Sequence, residues 1–367
     1  MDAVTDRQLN RWTLARQLLL ERAPLGPVEA VERLAGMQAQ HSPSPYIGLW
    51  SRLAGFEREH LEAALAADLV VKVTVNRGTL HLVTTERLPC FRLATGSTYY
   101  ETNFRQLREL GADLDAIRAR VVDAVRERPY TRPEIAQLVL SLLPFDPPAW
   151  ATERPAAMSA VSVATDLCNL AEDAAYGWFG GGRYRVAPPA PAVTPEAAFL
   201  RVAEDYLRAY GPSTTADLAS WSGRAVTAYK PALARLDLVR FRSEDGRTLL
   251  DLADAPRPPA DTPAPVRFLP KWDSVLLAHA RRERVVGDDH RKAIVGKNGD
   301  VAATFLVDGV VAGTWSATTR GRGVLTLTPL VPVRAADRRA VEAEGDRLVR
   351  WLRSDAAAHE VRWADPA

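Results

Sequence analysis

Val70-Val71-Lys72-Val73-Thr74-Val75-Asn76-Arg77-Gly78-Thr79-Leu80-His81-Leu82-Val83 is the stretch whose reading decides the fold. Two runs rich in β-branched residues flank the turn-forming Asn76-Arg77-Gly78, which predicts a β-hairpin. Ahead of it, Leu9 to Leu20, Val28 to Met37 and Leu61 to Leu69 carry apolar residues at helical spacing. Helices followed by a two-stranded ribbon are the order of a winged-helix unit, a variation on the helix-turn-helix.

The order recurs further along the chain. Thr131-Arg132-Pro133-Glu134 has capping-box spacing and opens a helix through Leu143; a second helix is expected over Ala156 to Leu170. Strands at Tyr176 to Phe179 and Tyr184 to Ala187 then flank Gly180-Gly181-Gly182. In a third copy, Thr214-Thr215-Ala216-Asp217 starts a helix and Ala225 to Leu236 a second. Strands at Leu238 to Phe241 and Thr248 to Asp251 enclose Glu244-Asp245-Gly246. Prolines at 188, 189 and 191 and the proline-rich run from Asp254 to Pro265 read as linkers. Beyond them, strands near Val266 to Phe268, Val301 to Val307, Val310 to Trp315 and Val324 to Thr328 precede a helix over Ala336 to Arg353. The expected fold is α+β: three tandem winged-helix units (1–110, 111–190, 191–260) and a small β-rich unit (261–367) with a closing helix, together forming a concave DNA-binding channel.

Composition bounds the function. A chain of 367 residues with 47% hydrophobic and 25% charged content suits a globular protein of several compact units. No run approaches the roughly 20 apolar residues of a membrane span, and the N-terminus lacks a cationic leader with an apolar core, so a cytoplasmic monomer is expected. Cys90 and Cys168 read as buried thiols. The six histidines show no ligand spacing, and neither a metal nor another cofactor is expected. Walker-type phosphate loops and Gly-x-Ser-x-Gly elbows are absent from the sequence. A net charge of +2 requires any nucleic-acid contact to be local.

Gln38-Ala39-Gln40 closes the second apolar stretch and precedes His41-Ser42-Pro43-Ser44-Pro45. The prolines favour extended geometry before them, so the helix is expected to end near Met37 or Gln38. Amides at i and i+2 of an extended segment share one face and could stand at the mouth of a groove. An amide can orient a water but cannot take its proton. The same tripeptide also fits a solvated helix end.

Phe268-Leu269-Pro270-Lys271-Trp272-Asp273-Ser274, continuing through His290-Arg291-Lys292 to Val307-Asp308-Gly309 and Gly313-Thr314-Trp315, resembles the winged-helix family of AlkZ/YcaQ-type DNA glycosylases. Arg77-Gly78-Thr79-Leu80-His81 resembles a second block of that family. The glutamine motif matches the catalytic Gln-hydrophobic-Gln of its AlkZ branch, the YcaQ branch carrying Asp at the second position. The resemblance implies a monofunctional glycosylase that releases N7-alkylated, cationic purines from double-stranded DNA and unhooks antibiotic crosslinks, with Gln38 and Gln40 as catalytic residues. The alternative is a winged-helix transcription regulator without enzymatic activity.

The candidate DNA contacts are Arg320 and Arg322 on the tip Thr319-Arg320-Gly321-Arg322-Gly323, with Lys271, Arg291, Lys292, Arg77 and His81. Glycines let such a ribbon turn and approach closely, and its arginines can meet phosphates or enter a minor groove. The tip equally fits an ordinary soluble hairpin, Lys271-Asp273 a local ion pair, and Arg77 and His81 a turn arginine and a partly buried histidine.

Overall fold

The computed structural model describes residues 2–147, 166–281, 283–287, 290–296, 299–318 and 320–365. The deciding hairpin forms as read. Val70–Val75 pairs antiparallel with Thr79–Thr84 in register from Val70↔Thr84 to Val75↔Thr79. The turn places Arg77 and Gly78 at φ 57° and 75°.

A short strand, Met37–Gln38, joins the free edge of Thr79–Thr84, with Gln38 opposite His81. The helix before it is Pro27–Arg33, shorter than expected, because Ala35 and Gly36 turn left-handed at φ 54° and 81° and end it. Gly36 is needed there, since a Cβ would lie 3.1 Å from the Leu82 carbonyl. After the glutamines the prolines act in the opposite sense to the expectation. Pro43 and Pro45 occupy the first turn of a helix, Pro43–Arg52, where their missing N–H groups have no intrahelical partner to lose. Helices Asp6–Arg16, Arg58–Ala66 and Leu88–Ala94 also belong to this region.

In the second region, Thr131 and Glu134 form the expected capping box, opening the helix Arg132–Ser141. The helix expected over Ala156 to Leu170 lies outside the described residues as far as 165; beyond that, Leu167–Asn169 is a strand, pairing with Arg183–Val186. Tyr176 to Phe179 is loop rather than strand. In the third region, Thr214 and Asp217 cap the helix Thr215–Ser222 as expected. Pro231 interrupts the helix that follows: a 3-10 turn, Val226–Tyr229, leads into the short Lys230–Leu233. The hairpin Leu238–Ser243 with Thr248–Leu252 gains Asp2–Val4 as a parallel third strand. The long helices Thr98–Glu109, Leu114–Glu127 and Pro195–Tyr210 are additions to the sequence reading.

The C-terminal sheet runs in the order Arg267–Leu269, Thr304–Val307, Val310–Ala317, Gly323–Pro329, His359–Trp363, and the helix Ala335–Leu352 packs on it. The fold is thus mixed α+β. One core joins Tyr46, Leu49 and Leu61 to Phe268, Phe305, Leu325 and Leu348. Another joins Val71, Val73 and Phe91 to Tyr206, Tyr210 and Trp221. The deciding hairpin and its helices therefore lie between the third region and the C-terminal sheet.

A buried ion pair ties the first region to the C-terminal block. Arg52 donates to both oxygens of Asp273 at 2.9 and 2.8 Å, with further bonds to the carbonyls of Gln17 and Gly48. Asp273 also accepts from the Val275 amide at 3.0 Å. Its partner is thus Arg52 and not the neighbouring Lys271. Removing one member of such a pair strands a buried charge. Asp273→Ala is expected to cost about 3–5 kcal/mol in denaturant unfolding, and Arg52→Met/Asp273→Leu clearly less than the sum of the single changes.

Candidate active site

The edge strand sets the two glutamines in different surroundings. Ala39 N–H donates to the Leu80 carbonyl at 2.8 Å, which carries the ladder one residue beyond Gln38. Gln38 is buried, facing a cavity of 10 Å³ where Gln17, Ser44, Arg52 and Asp273 meet the apolar Leu34, Met37 and Pro270. That is about the room one water needs. Among the described residues, the Gln38 side-chain oxygen has no hydrogen-bond partner.

Gln40 is exposed, and its Oε1 accepts weakly from the Leu80 amide at 3.4 Å. It lines a separate cleft of 660 Å³ with His41, Lys72, Asn169, Trp178 and Phe179. Gln38 is extended as expected, but Gln40 already lies in a bend, and the two amides open onto different cavities instead of sharing one face at the mouth of a groove.

Three groups beside Gln40 escaped the sequence reading. His41 Nδ1 lies 3.1 Å from Ser44 Oγ, and its ring stands between Phe179 and Trp272 with centroids 6.4 and 6.5 Å away. Burial, reinforced by the Lys271 charge, lowers its pKa below the usual histidine value. Lys72 sits on the hairpin with its side chain buried, and its Nζ donates to Ser42 Oγ at 3.3 Å and the Asp173 carbonyl at 3.4 Å. Burial pulls its pKa down to about 8, against the opposing pull of Asp173. The third is Phe179, 73% exposed. A lysine interrupting a valine-rich strand and an aromatic beside three glycines were the available signals.

His41 and Phe179 also border a second cleft of 670 Å³ that runs along Thr314 to Thr318 toward the arginine-bearing tip. Arg320 and Arg322 are exposed there, with Glu360 3.6 Å from Arg322. Arg353 supports the tip from beneath, donating to the carbonyls of Thr318 and Gly321 at 3.2 and 3.1 Å. Lys271 lines the same cleft, paired with Asp300 at 3.0 Å and standing 4.9 Å over the Trp272 ring. Arg291 and Lys292 are exposed on the helix Arg291–Ile294.

Two expected contacts point elsewhere. Arg77 donates to the Trp221 carbonyl at 2.6 Å, where its charge complements the C-terminal end of the helix Thr215–Ser222. It joins two parts of the protein rather than meeting a ligand. His81 is 4% exposed, its Nδ1 is 3.1 Å from the Thr79 carbonyl, and burial pushes its pKa down to about 4. It is a neutral core residue beneath the glutamine strand, where a duplex cannot reach it. Among the described residues no three His, Cys, Asp or Glu side chains gather into a metal-binding group. No helix among them is long and apolar enough to cross a membrane.

The chain is similar to known proteins over most of its length. The family described as DNA glycosylase AlkZ-like matches residues 31–351. A protein of Streptomyces sahachiroi called interstrand DNA cross-link repair glycosylase is 26% identical over 94% of this chain and 95% of its own length. The solved structure of Streptomyces sahachiroi DNA glycosylase AlkZ superposes with a TM-score of 0.75 at 21% identity, covering 99% of this chain and 100% of that one.

Lys72 yields a prediction about stability. Its folded pKa of about 8 lies below the ordinary 10.5, so between those values the unfolded chain binds more protons and stability rises with pH. The stability of Lys72→Met relative to the unaltered protein should therefore be greatest below pH 8 and decline toward pH 10.5, as read by denaturant unfolding across that range.

Proposed function

Since this chain belongs to the DNA glycosylase AlkZ-like family, an enzyme class that cleaves the bond between a nucleobase and its sugar, we propose that its substrates are N7-alkylated purines in double-stranded DNA. Alkylation at N7 makes the base cationic and weakens its bond to the sugar, so no acid is needed to protonate the departing base. The remaining task is to place a water against an oxocarbenium-like sugar and to stabilise the charge developing there. Gln40 presents its amide to the open cleft, and Gln38 stands behind it with an unpartnered oxygen able to accept from a water. Neither takes a proton, so the pair suits a leaving group that departs readily.

The observation that carries this reading is the placement of Gln40 on the wall of the cleft, with Gln38 on a separate small cavity two residues before it, in a chain of this family. Around it we read three winged-helix units, over 1–110, 111–190 and 191–260, which with the C-terminal unit line a concave channel for the duplex. Arg320, Arg322, Arg291, Lys292 and Lys271 supply the backbone contacts. The relative's name extends the proposed substrates to interstrand crosslinks. A crosslinked base cannot be withdrawn fully from the stack, and clefts open toward a groove-reaching tip leave room for one. The protein acts as a cytoplasmic monomer on one duplex. Family membership weighs against a regulator that only binds DNA.

Base release from a duplex containing N7-methylguanine tests the chemistry. Gln38→Ala and Gln40→Ala should each lower the single-turnover rate by about 10² to 10³ while melting temperature and DNA affinity hold. Uracil in the same duplex should remain in place. Near-normal release by the double variant would remove the glutamines from the mechanism.

The tip is tested by salt dependence. Arg320→Glu/Arg322→Glu should weaken binding to damaged and undamaged duplex alike and flatten the salt dependence by about one unit of slope per lost phosphate contact. Unchanged affinity and slope would place the duplex elsewhere.

A further inference from the structure

Phe179 is a large apolar ring left 73% exposed, and it stands where the two clefts meet, lining both of them. The loop bearing it is held from several sides. At its base, Asp173 accepts from the backbone N–H of Arg183 at 2.6 Å and from its guanidinium at 3.1 and 2.8 Å. Trp178 N–H donates to the Ala175 carbonyl at 3.1 Å. Two glycines behind the ring are required by close approach: a Cβ on Gly180 would lie 2.9 Å from the Trp178 ring, and one on Gly182 would lie 2.0 Å from the Asn169 amide. Trp178 and Asn169 thus pack against bare backbone, and Phe179 is left projecting between the two clefts.

Among the described residues, its ring stands 6.4 Å from that of His41, adjacent in sequence to Gln40. The two rings are tilted by 52°, so neither covers the face of the other. Low basicity keeps His41 uncharged near neutral pH, so its ring does not repel a cation. A base carrying positive charge is attracted to aromatic faces beyond ordinary stacking, and a neutral base lacks that increment.

We propose that Phe179 and His41 form a stacking subsite for the positively charged purine, beside Gln40, and that this subsite distinguishes the alkylated base from its neutral neighbours. The assignment rests on the functional reading above and adds to it the means by which the lesion is recognised. Phe179 covers the face of the cationic base as it leaves the stack, while Gln40 faces the sugar. Alanine replacement of an aromatic that stacks on a base typically costs about 1–3 kcal/mol, equivalent to about 5- to 150-fold.

The test compares affinity for two duplexes, one undamaged and one carrying N7-methylguanine on a 2′-fluoro sugar that slows base loss. The unaltered protein should prefer the lesion. Phe179→Ala should lose about 5- to 150-fold of lesion affinity with undamaged-duplex affinity held within about twofold, and Phe179→Trp should restore the preference. Three outcomes would each overturn the subsite: no lesion preference in the unaltered protein, an unchanged preference in Phe179→Ala, or parallel losses on both duplexes. The last would make the ring a general wedge. Base release by the unaltered protein from an ordinary N7-methylguanine duplex is followed alongside. Its absence would fail the enzymatic reading, while the binding comparison would still decide the subsite.

Discussion

The site depends on the buried pair between Arg52 and Asp273. Arg52 ends the helix that begins just after the glutamines, and Asp273 belongs to the C-terminal block. Both side chains are almost wholly shielded from water. Desolvation makes such a pair costly unless its geometry is good and its remaining valences are filled. Here the carbonyls of Gln17 and Gly48 and the amide of Val275 fill them. The result is a directional joint. Lys271 and Trp272, just before Asp273 in the chain, line the Gln38 cavity together with Arg52.

The hairpin supplies the other half of the frame. Met37–Gln38 adds to its edge, and the ladder passes directly under the catalytic candidates. Backbone pairing orients the segment strictly, and the left-handed turn at Ala35 and Gly36 lets the chain leave a helix and enter a strand within a few residues. Immediately afterwards the prolines start a new helix. The tripeptide therefore lies on a short bridge between two helices, paired along one side only and bending at Gln40, with Gln38 turned to the interior and Gln40 to the cleft.

Charge is distributed in the same economical way. Many arginines are committed inside the protein: Arg16 pairs with Asp251 where both are buried, and Arg77 caps a neighbouring helix. Arg320 and Arg322 on the tip and Arg291 and Lys292 on the short helix are among the cations left exposed. A chain with a net charge of only +2 can thus still carry local positive groups on its surface.

Local patterns were legible in the sequence. The deciding hairpin, the two Thr-led capping boxes and the third hairpin follow from β-branched runs, turn residues and cap spacing, all forces acting over a few residues. The extended geometry of Gln38 was legible too, but not the bend at Gln40 that parts the two amides. Tertiary structure decided the rest. Pro43 and Pro45 become helix starters because the helix they open has Arg52 to bury against Asp273. His81 and Arg77 turn inward because the hairpin is enclosed between other elements instead of standing at an edge. The cleft arises where Gln40, Lys72 and Phe179 meet from three separate segments. Local propensity sees near neighbours in the chain, whereas burial, pairing and a shared cavity depend on residues that only folding brings together.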